Sequence, residues 1–353
     1  MDPLTAAWTA SPTADESRWF RAEEDSAAAG ARREITALAR RLGFAGERLG
    51  QVQLAATEAA TNLVKHAERG EMLVRIVRSG TSAALEIVSI DHGPGIADLT
   101  RSRLGGYSTT GTLGLGLGSI ERLADSSGLS SLPGVGTTLF ARFRQPDAVR
   151  GAARRPEPEP AFAGLTRPMD GERECGDAYA ATAADGTVYA MLCDGLGHGP
   201  LAARAAQEAV RALRDTALPA RPAEILGHVH HRLRPTRGAA VAVAVIEPDA
   251  GRVRFAGLGN IAGWILQPDR RTGMISVPGI AGTHTRFREQ VYELPPGAAV
   301  VMHSDGLTSR WDAAGLSTLA GRDPILTAAT VLRDAGVRHD DRCVLAVTTS
   351  EAG

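Results

Sequence analysis

Four aspartates far apart in the chain each sit at or beside a predicted strand end. They are Asp177 in Glu174-Cys175-Gly176-Asp177, Asp194 in Cys193-Asp194-Gly195-Leu196-Gly197-His198-Gly199, Asp305 in His303-Ser304-Asp305-Gly306, and Asp340 in His339-Asp340-Asp341. Carboxylates this distant in sequence converge only if a sheet brings strand ends together, and converged like charges require a cation. Hard oxygen ligands suit magnesium or manganese, and a pair of such ions can lower the pKa of a bridging water and clamp a phosphoryl group. Each Asp-Gly alone is an ordinary turn signal, so the set carries the reading. His198 is not assigned as a ligand, because nitrogen suits these ions poorly and a Gly-His-Gly run fits a strand-to-helix turn. Cys175 and Cys193, beside two of the aspartates, read as small buried thiols.

A second group of residues has local spacing. A helix over residues 51–66 places Glu58, Thr61, Asn62 and Lys65 on one polar stripe roughly 100° wide, opposite Val52, Ala56 and Leu63. A carboxylate, a carboxamide and an ammonium on one stripe can act as base, metal ligand and phosphate partner. After a predicted strand comes Asp91-His92-Gly93-Pro94-Gly95-Ile96. Its glycines allow close backbone approach to a flat ligand, and Asp91 can accept a hydrogen bond from an exocyclic amine. The run Gly111-Thr112-Leu113-Gly114-Leu115-Gly116-Leu117-Gly118-Ser119 then leads into a helix, offering backbone N–H groups and a helix N-terminus to phosphate.

The elements that must position these residues fall into two groups. Pro146, Pro156, Pro158 and Pro160 mark an extended linker over residues 146–160 between a domain at 1–145 and another at 161–353. Before the linker, helical spacing covers 26–42 and 50–66, strands 72–78 and 84–90, a helix 119–125 and a strand 137–142. After it come short strands at 178–183, 187–194, 239–247, 252–258, 261–267, 298–304 and 343–348. Helices are expected at 201–216, 223–233 and 325–335, flanking packed sheets. A chain of 353 residues, 43% hydrophobic and 22% charged, is expected to form two globular domains.

Lys+Arg 39 against Asp+Glu 40 provides no basic excess for gripping nucleic acid. No apolar run reaches the ~20 residues of a membrane span and no signal peptide opens the chain, so a cytoplasmic protein with no membrane partner is expected. Cys175, Cys193 and Cys343 lack CxxC spacing and are expected to be reduced thiols. Lys65 is the single lysine and no GxxxxGK precedes it, which excludes a Walker P-loop.

In order and spacing, the Glu58-x3-Asn62 helix, the Asp91-x-Gly93-x-Gly95 loop and the Gly114-x-Gly116-x-Gly118 lid resemble the GHKL ATPase superfamily over roughly residues 18–143. The resemblance implies a Bergerat α/β sandwich that binds ATP with magnesium. Asn62 would hold the magnesium ion, Asp91 would read adenine, the lid glycines would wrap the phosphates and Thr138 would support Asp91. Too few residues precede the first helix for the phosphoacceptor hairpin of a sensor histidine kinase. The Glu58-Ala-Ala-Thr-Asn62 helix is similar to the anti-sigma-factor and switch serine kinases. That similarity makes Glu58 the general base toward a serine or threonine on a small antagonist protein.

The four aspartates resemble the metal-dependent serine/threonine phosphatases, most closely the SpoIIE-type branch, over about residues 162–349. The implied fold is a β-sandwich flanked by helices, αββα. Asp194 would bridge two manganese or magnesium ions and act catalytically, the Gly195 carbonyl would bind one, and Asp177, Asp305 and Asp340 would complete the pair. Asp341 would lie behind the ligands. Arg342 and Cys343 depart from the family's closing Asp-Asp-x-Thr, and no arginine is assignable to phosphate. The two resemblances together imply a bifunctional regulator that phosphorylates and dephosphorylates an anti-sigma antagonist of the STAS type, a homodimer being left open. The alternative is a signalling phosphatase whose first domain only binds ATP or a partner as a sensor or docking module.

Overall fold

The computed structural model describes residues 7–22, 25–79, 82–99, 116–145, 161–283, 286–309, 323–335 and 339–349. The expected linker at 146–160 lies outside them. The chain divides into two compact units, Asp15–Arg78 with Ser82–Pro158, and Met1–Ala14 with Ser79–Thr81 and Glu159–Gly353. The opening strand β1 (Ala7–Ala10) therefore does not lie with the elements that follow it, where the 1–145 reading placed it. It hydrogen-bonds to a strand of the second unit.

In the first unit, β2 (Ser17–Arg21), α1 (Asp25–Arg41), α2 (Gly46–His66), β3 (Glu71–Ser79), β4 (Ser82–Ile90), α3 (Gly116–Leu123), β5 (Ser126–Leu132) and β6 (Gly136–Arg144) follow in order. The strands form one sheet ordered β2-β3-β4-β6-β5. Alternation along the strands sends Met72, Val74, Ile76, Leu85, Ile87, Leu139 and Phe143 to the helix-covered face. There they meet Ile35 and Leu38 of α1, Val52, Ala56 and Leu63 of α2, and Ile120 of α3. Helical spacing of Val52, Ala55, Ala56, Ala59, Ala60 and Leu63 leaves the Glu58–Asn62 stripe turned away from that core. The result is a two-layer α/β sandwich.

The other face of this sheet carries a buried ion triad. Glu86 of β4 accepts hydrogen bonds from Arg75 Nε (2.8 Å) and Arg142 Nε (2.9 Å), on the strands to either side. Burial pushes the Glu86 carboxyl up, and the two guanidiniums more than offset it, leaving its pKa below the usual carboxylate value.

The second unit contains β7 (Phe162–Arg167), β8 (Asp177–Ala184), β9 (Thr187–Gly195), α4 (Pro200–Arg214), α5 (Pro222–Leu233), β10 (Ala239–Glu247), β11 (Arg252–Leu258), β12 (Ala262–Leu266), β13 (Arg271–Met274), β14 (Gln290–Glu293), β15 (Ala299–His303), α6 (Pro324–Asp334) and β16 (Arg342–Thr348). One sheet is ordered β1-β8-β9-β10-β11-β14 and the other β13-β12-β15-β16-β7. Between them Tyr179, Leu192, Ala242 and Phe255 pack with Val300, Met302 and Leu345. Alanines 205, 206 and 209 of α4 pack with Ile225 and Val229 of α5 against the outer face of the first sheet, and α6 covers β7 and β16. This is the αββα sandwich.

The sequence reading did not mark β1, β2, β5, β7, β13 and β14. All six end a sheet, and β1, β2, β13 and β14 have only four or five residues, too few to display a period. β5 is mostly serine, and β7 follows a proline-rich stretch. Helix α3 starts at Gly116 and not at 119.

Candidate active sites

In the first unit α2 and the 91–96 loop are tied together at the helix end. His92 N donates to Glu68 O (2.9 Å), and a Cβ on Gly93 would press on the His66 carbonyl. Asp91 Oδ1 accepts from Gly93 N (2.8 Å) and Thr137 N (3.2 Å), while Asp91 N donates to Thr137 O (2.9 Å). Gly136 is indispensable here, because its φ is +136° and a Cβ on it would collide with the Asp91 carbonyl. Gly95 belongs to the same turn, which Gly134 N closes on Pro94 O and Ile96 N on Ser131 Oγ (both 2.8 Å). Thr138 pairs with Ile90 across β4 and β6 and is fully buried, with its hydroxyl 3.5 Å from Ser130 O.

Glu58 and Asn62 are half-buried one helical turn apart, and Lys65 is exposed. The Asn62 Nδ2 atom is buried with no hydrogen-bond partner among the described residues. An orphaned amide N–H2 costs free energy unless an acceptor completes it, so the position fits a phosphate oxygen of a bound nucleotide, with Asn62 Oδ1 the atom of that side chain able to meet magnesium. Gly116 and Gly118 lie in the first turn of α3, where backbone N–H groups have no intrahelical acceptors. Gly114 lies outside the described residues.

In the second unit, antiparallel pairing sets Asp177 directly opposite Asp194 across β8 and β9. Asp305 follows the end of β15 and Asp340 precedes β16, its neighbour in the other sheet. The approach shows in the titration. Burial, then Asp305 and Asp340, push Asp194 up to about 7. Burial and Asp194 push Asp177 well above the usual carboxylate range, against a lowering hydrogen bond from Ser304. Asp177 is buried and its Oδ2 has no hydrogen-bond partner among the described residues. Hard oxygen donors that repel one another fit magnesium or manganese. Among the described residues no group of three or more His, Cys, Asp or Glu side chains is gathered closely enough to hold a metal ion, so the aspartates approach one another without forming a complete ligand set.

Several neighbours hold the cluster in place. Gly195 N donates to Gly176 O (3.0 Å), clamping the two loop starts. Asp341 is buried and accepts from Met169 N (2.7 Å) and Gly176 N (2.8 Å), so it fixes the entry to β8. Gly306 must lack a side chain, since a Cβ there would strike the Asp341 carbonyl. Sequence reasoning missed two positioning residues. Asn260 Nδ2 donates to Asp305 Oδ2 (2.7 Å), and Ser304 Oγ accepts from Cys343 N (2.9 Å) while bonding Asp177. Asn260 belongs to no motif and Ser304 stands unremarked beside Asp305, so only the fold reveals their contacts. His198 is exposed, with Nδ1 2.9 Å from Glu172 Oε1. Burial pushes Cys175, Cys193 and Cys343 well up, unlike reactive thiolates.

Comparison with known proteins follows the same division. A family model described as a histidine kinase-like ATPase domain matches residues 20–143, and one described as stage II sporulation protein E (SpoIIE) matches residues 184–350. The second match includes Asp194, Gly195, Asp305 and Asp340, and it begins after Asp177. The serine/threonine-protein kinase RsbT of Bacillus subtilis (strain 168) is 35% identical over 104 residues, which is 30% of this chain and 78% of that protein. Among solved structures, one described as the bacterial stressosome, a modular system adapted to control secondary messenger signaling, aligns at 30% identity. Its TM-score is 0.46, over 52% of this chain and 97% of that one. RsbX in complex with magnesium aligns at 18% identity with a TM-score of 0.44, over 53% and 94%. No helix among the described residues is long and apolar enough to cross a membrane.

Proposed function

This chain belongs to the histidine kinase-like ATPase family, as a relative of RsbT, and carries a SpoIIE domain. On that premise we propose that it is a bifunctional partner-switching regulator. One half, within 1–145, is an ATP-dependent serine/threonine kinase; the other, within 161–353, is a manganese- or magnesium-dependent phosphatase. Both act on a small anti-sigma antagonist of the STAS type. The observation that carries the reading is the pairing of Asp177 with Asp194, joined by Asp305 and Asp340, in a chain whose Asn62 helix is also tied at its end to the Asp91 loop.

In the first half, Asn62 would hold the magnesium ion, Asp91 would accept from the adenine amine, and Lys65 with the amides of Gly116 and Gly118 would meet the phosphates. Thr138 keeps the Asp91 loop on its strand. ATP supplies the phosphoryl group. Glu58, one turn before Asn62, would take the proton from the antagonist's hydroxyl as that oxygen bonds to the γ-phosphorus of ATP and ADP leaves with the bridging oxygen.

In the second half, Asp177, Asp194, the Gly195 carbonyl, Asp305 and Asp340 would hold two manganese or magnesium ions. Bound there, the ions would supply Lewis acidity that brings the pKa of water toward neutrality. Asn260 orients Asp305, Ser304 orients Asp177, and Asp341 holds the backbone that presents Asp177.

The test is intact mass of a candidate antagonist domain after incubation with the full chain and ATP–magnesium, then with manganese after ATP is removed. One added phosphate in the first step and its loss in the second are expected. An antagonist panel that gains no phosphate removes the kinase half. A phosphoprotein left intact with manganese removes the phosphatase half.

A further inference from the structure

We propose that Arg237 is the residue that binds the substrate phosphoryl group in the phosphatase half, an assignment that rests on the reading above. A phosphoryl dianion approaching this cluster meets Asp177, Asp194, Asp305, Asp340 and Asp341, whose ionised charge two divalent ions do not fully neutralise. A cation from the protein is needed to attract the ester without itself ligating the metals.

The register of β9 and β10 supplies it. Ala240 pairs with Asp194 and Ala239 with Gly195, and Leu196 N donates to Gly238 O (3.1 Å), so Arg237 stands opposite Gly197. Its Nη1 lies 3.5 Å from the point where a Cβ on Gly197 would sit. Gly197 has φ +86°, and Leu196, Gly197 and His198 are exposed, so the guanidinium lies along the loop that leaves Asp194.

The segment that carries Arg237 is fixed. Thr236 Oγ1 bonds Leu233 O (2.7 Å) and accepts from Gly238 N (3.0 Å). Gly238 has φ +84°, and a Cβ there would press on Ile280 and the Ala281 carbonyl. The side chain itself is exposed and has no hydrogen bond or ion pair among the described residues, with five aspartates in the neighbouring cluster. Other arginines near the cluster are engaged: Arg167 pairs with Asp170 (3.6 Å), and Arg173 and Arg342 have partners of their own. An exposed guanidinium with no partner among the described residues, on a fixed backbone and against the loop that leaves Asp194, offers the fork geometry that phosphate oxygens accept.

The experiment uses the full chain loaded with manganese and compares wild type, Arg237→Gln, Arg237→Lys and, as a control, Arg234→Gln, an exposed arginine at the end of α5. Inorganic phosphate is titrated calorimetrically, and kcat and KM are measured for p-nitrophenyl phosphate. Phosphate affinity and KM should weaken roughly tenfold or more in Arg237→Gln. Arg237→Lys should recover part of the loss, Arg234→Gln should match wild type, and the manganese midpoint should hold in every variant. Unchanged phosphate affinity in Arg237→Gln, a manganese midpoint that moves with it, or a wild type that binds no phosphate overturns the assignment. A wild type that binds phosphate yet hydrolyses no ester contradicts the phosphatase reading instead, and the binding comparison still judges Arg237.

Discussion

Asp177 and Asp194 face each other across two antiparallel strands, and one oxygen of Asp177 is buried without a hydrogen-bond partner among the described residues. A sheet core has no reason to pair two carboxylates in this way. Ser304 and Asn260 can orient single oxygens, yet neither brings positive charge, so the pair is stable as dianion only with a cation between its members.

Stability should therefore depend on pH and metal together. Asp194 is raised from the ordinary 3.8 to about 7, and Asp177 is raised too. The folded, metal-free protein holds protons across that interval that the unfolded chain has released. The contribution of Asp194 to stability is greatest below 3.8 and is lost as pH rises through about 7. Manganese displaces those protons, so the rise in Tm on adding it should grow with pH across the same window. Thermal melts with and without manganese at several pH values check this; a pH-independent rise contradicts it.

Asp194→Asn removes the carboxylate proposed to lie between the two ions and should lower kcat for p-nitrophenyl phosphate at least tenfold, or ~1.4 kcal/mol of barrier. The manganese requirement should shift to higher concentration. Steady-state kinetics over a manganese series reads both, and a variant that keeps wild-type turnover rules out the two-ion site.

Asp91→Asn withdraws the charge that accepts from Gly93 N and Thr137 N and would meet adenine. Charge-assisted bonds contribute about 1.5–3 kcal/mol, so ATP affinity should fall roughly tenfold to a hundredfold. Calorimetry with ATP–magnesium and the full chain measures it, and undiminished affinity would sink the nucleotide assignment.

Glu86→Gln leaves Arg75 and Arg142 buried around a neutral partner. Breaking a buried ion pair on one side costs about 3–5 kcal/mol, whereas replacing every member by apolar residues can be neutral. Urea unfolding of the first unit should show the loss, and a cost under about 1 kcal/mol would mean that water reaches the triad.

Much of this was legible in the chain because the signals were local. Val52, Ala56 and Leu63 repeat at helical spacing, and each aspartate sits at a strand end beside a turn residue. The sheet that gathers Asp177, Asp194, Asp305 and Asp340 could be expected from their chemistry. What was hidden depends on pairing between distant segments. β1 belongs to the second unit through its register with β8, which four residues around Trp8 do not announce. Asn260 and Arg237 matter because folding sets them beside Asp305 and Gly197, and no spacing in the sequence foretells either contact.

The central claim is that one chain both adds and removes phosphate. The direct measurement is phosphate occupancy, by intact mass, on a single antagonist batch incubated with ATP, magnesium and manganese and with wild type, Glu58→Gln or Asp194→Asn. Occupancy should fall in Glu58→Gln, which keeps its side-chain size but loses the base, and rise above wild type in Asp194→Asn, which traps the phosphorylated product. Zero occupancy with Asp194→Asn across a panel of antagonist domains would contradict the kinase and leave only the phosphatase.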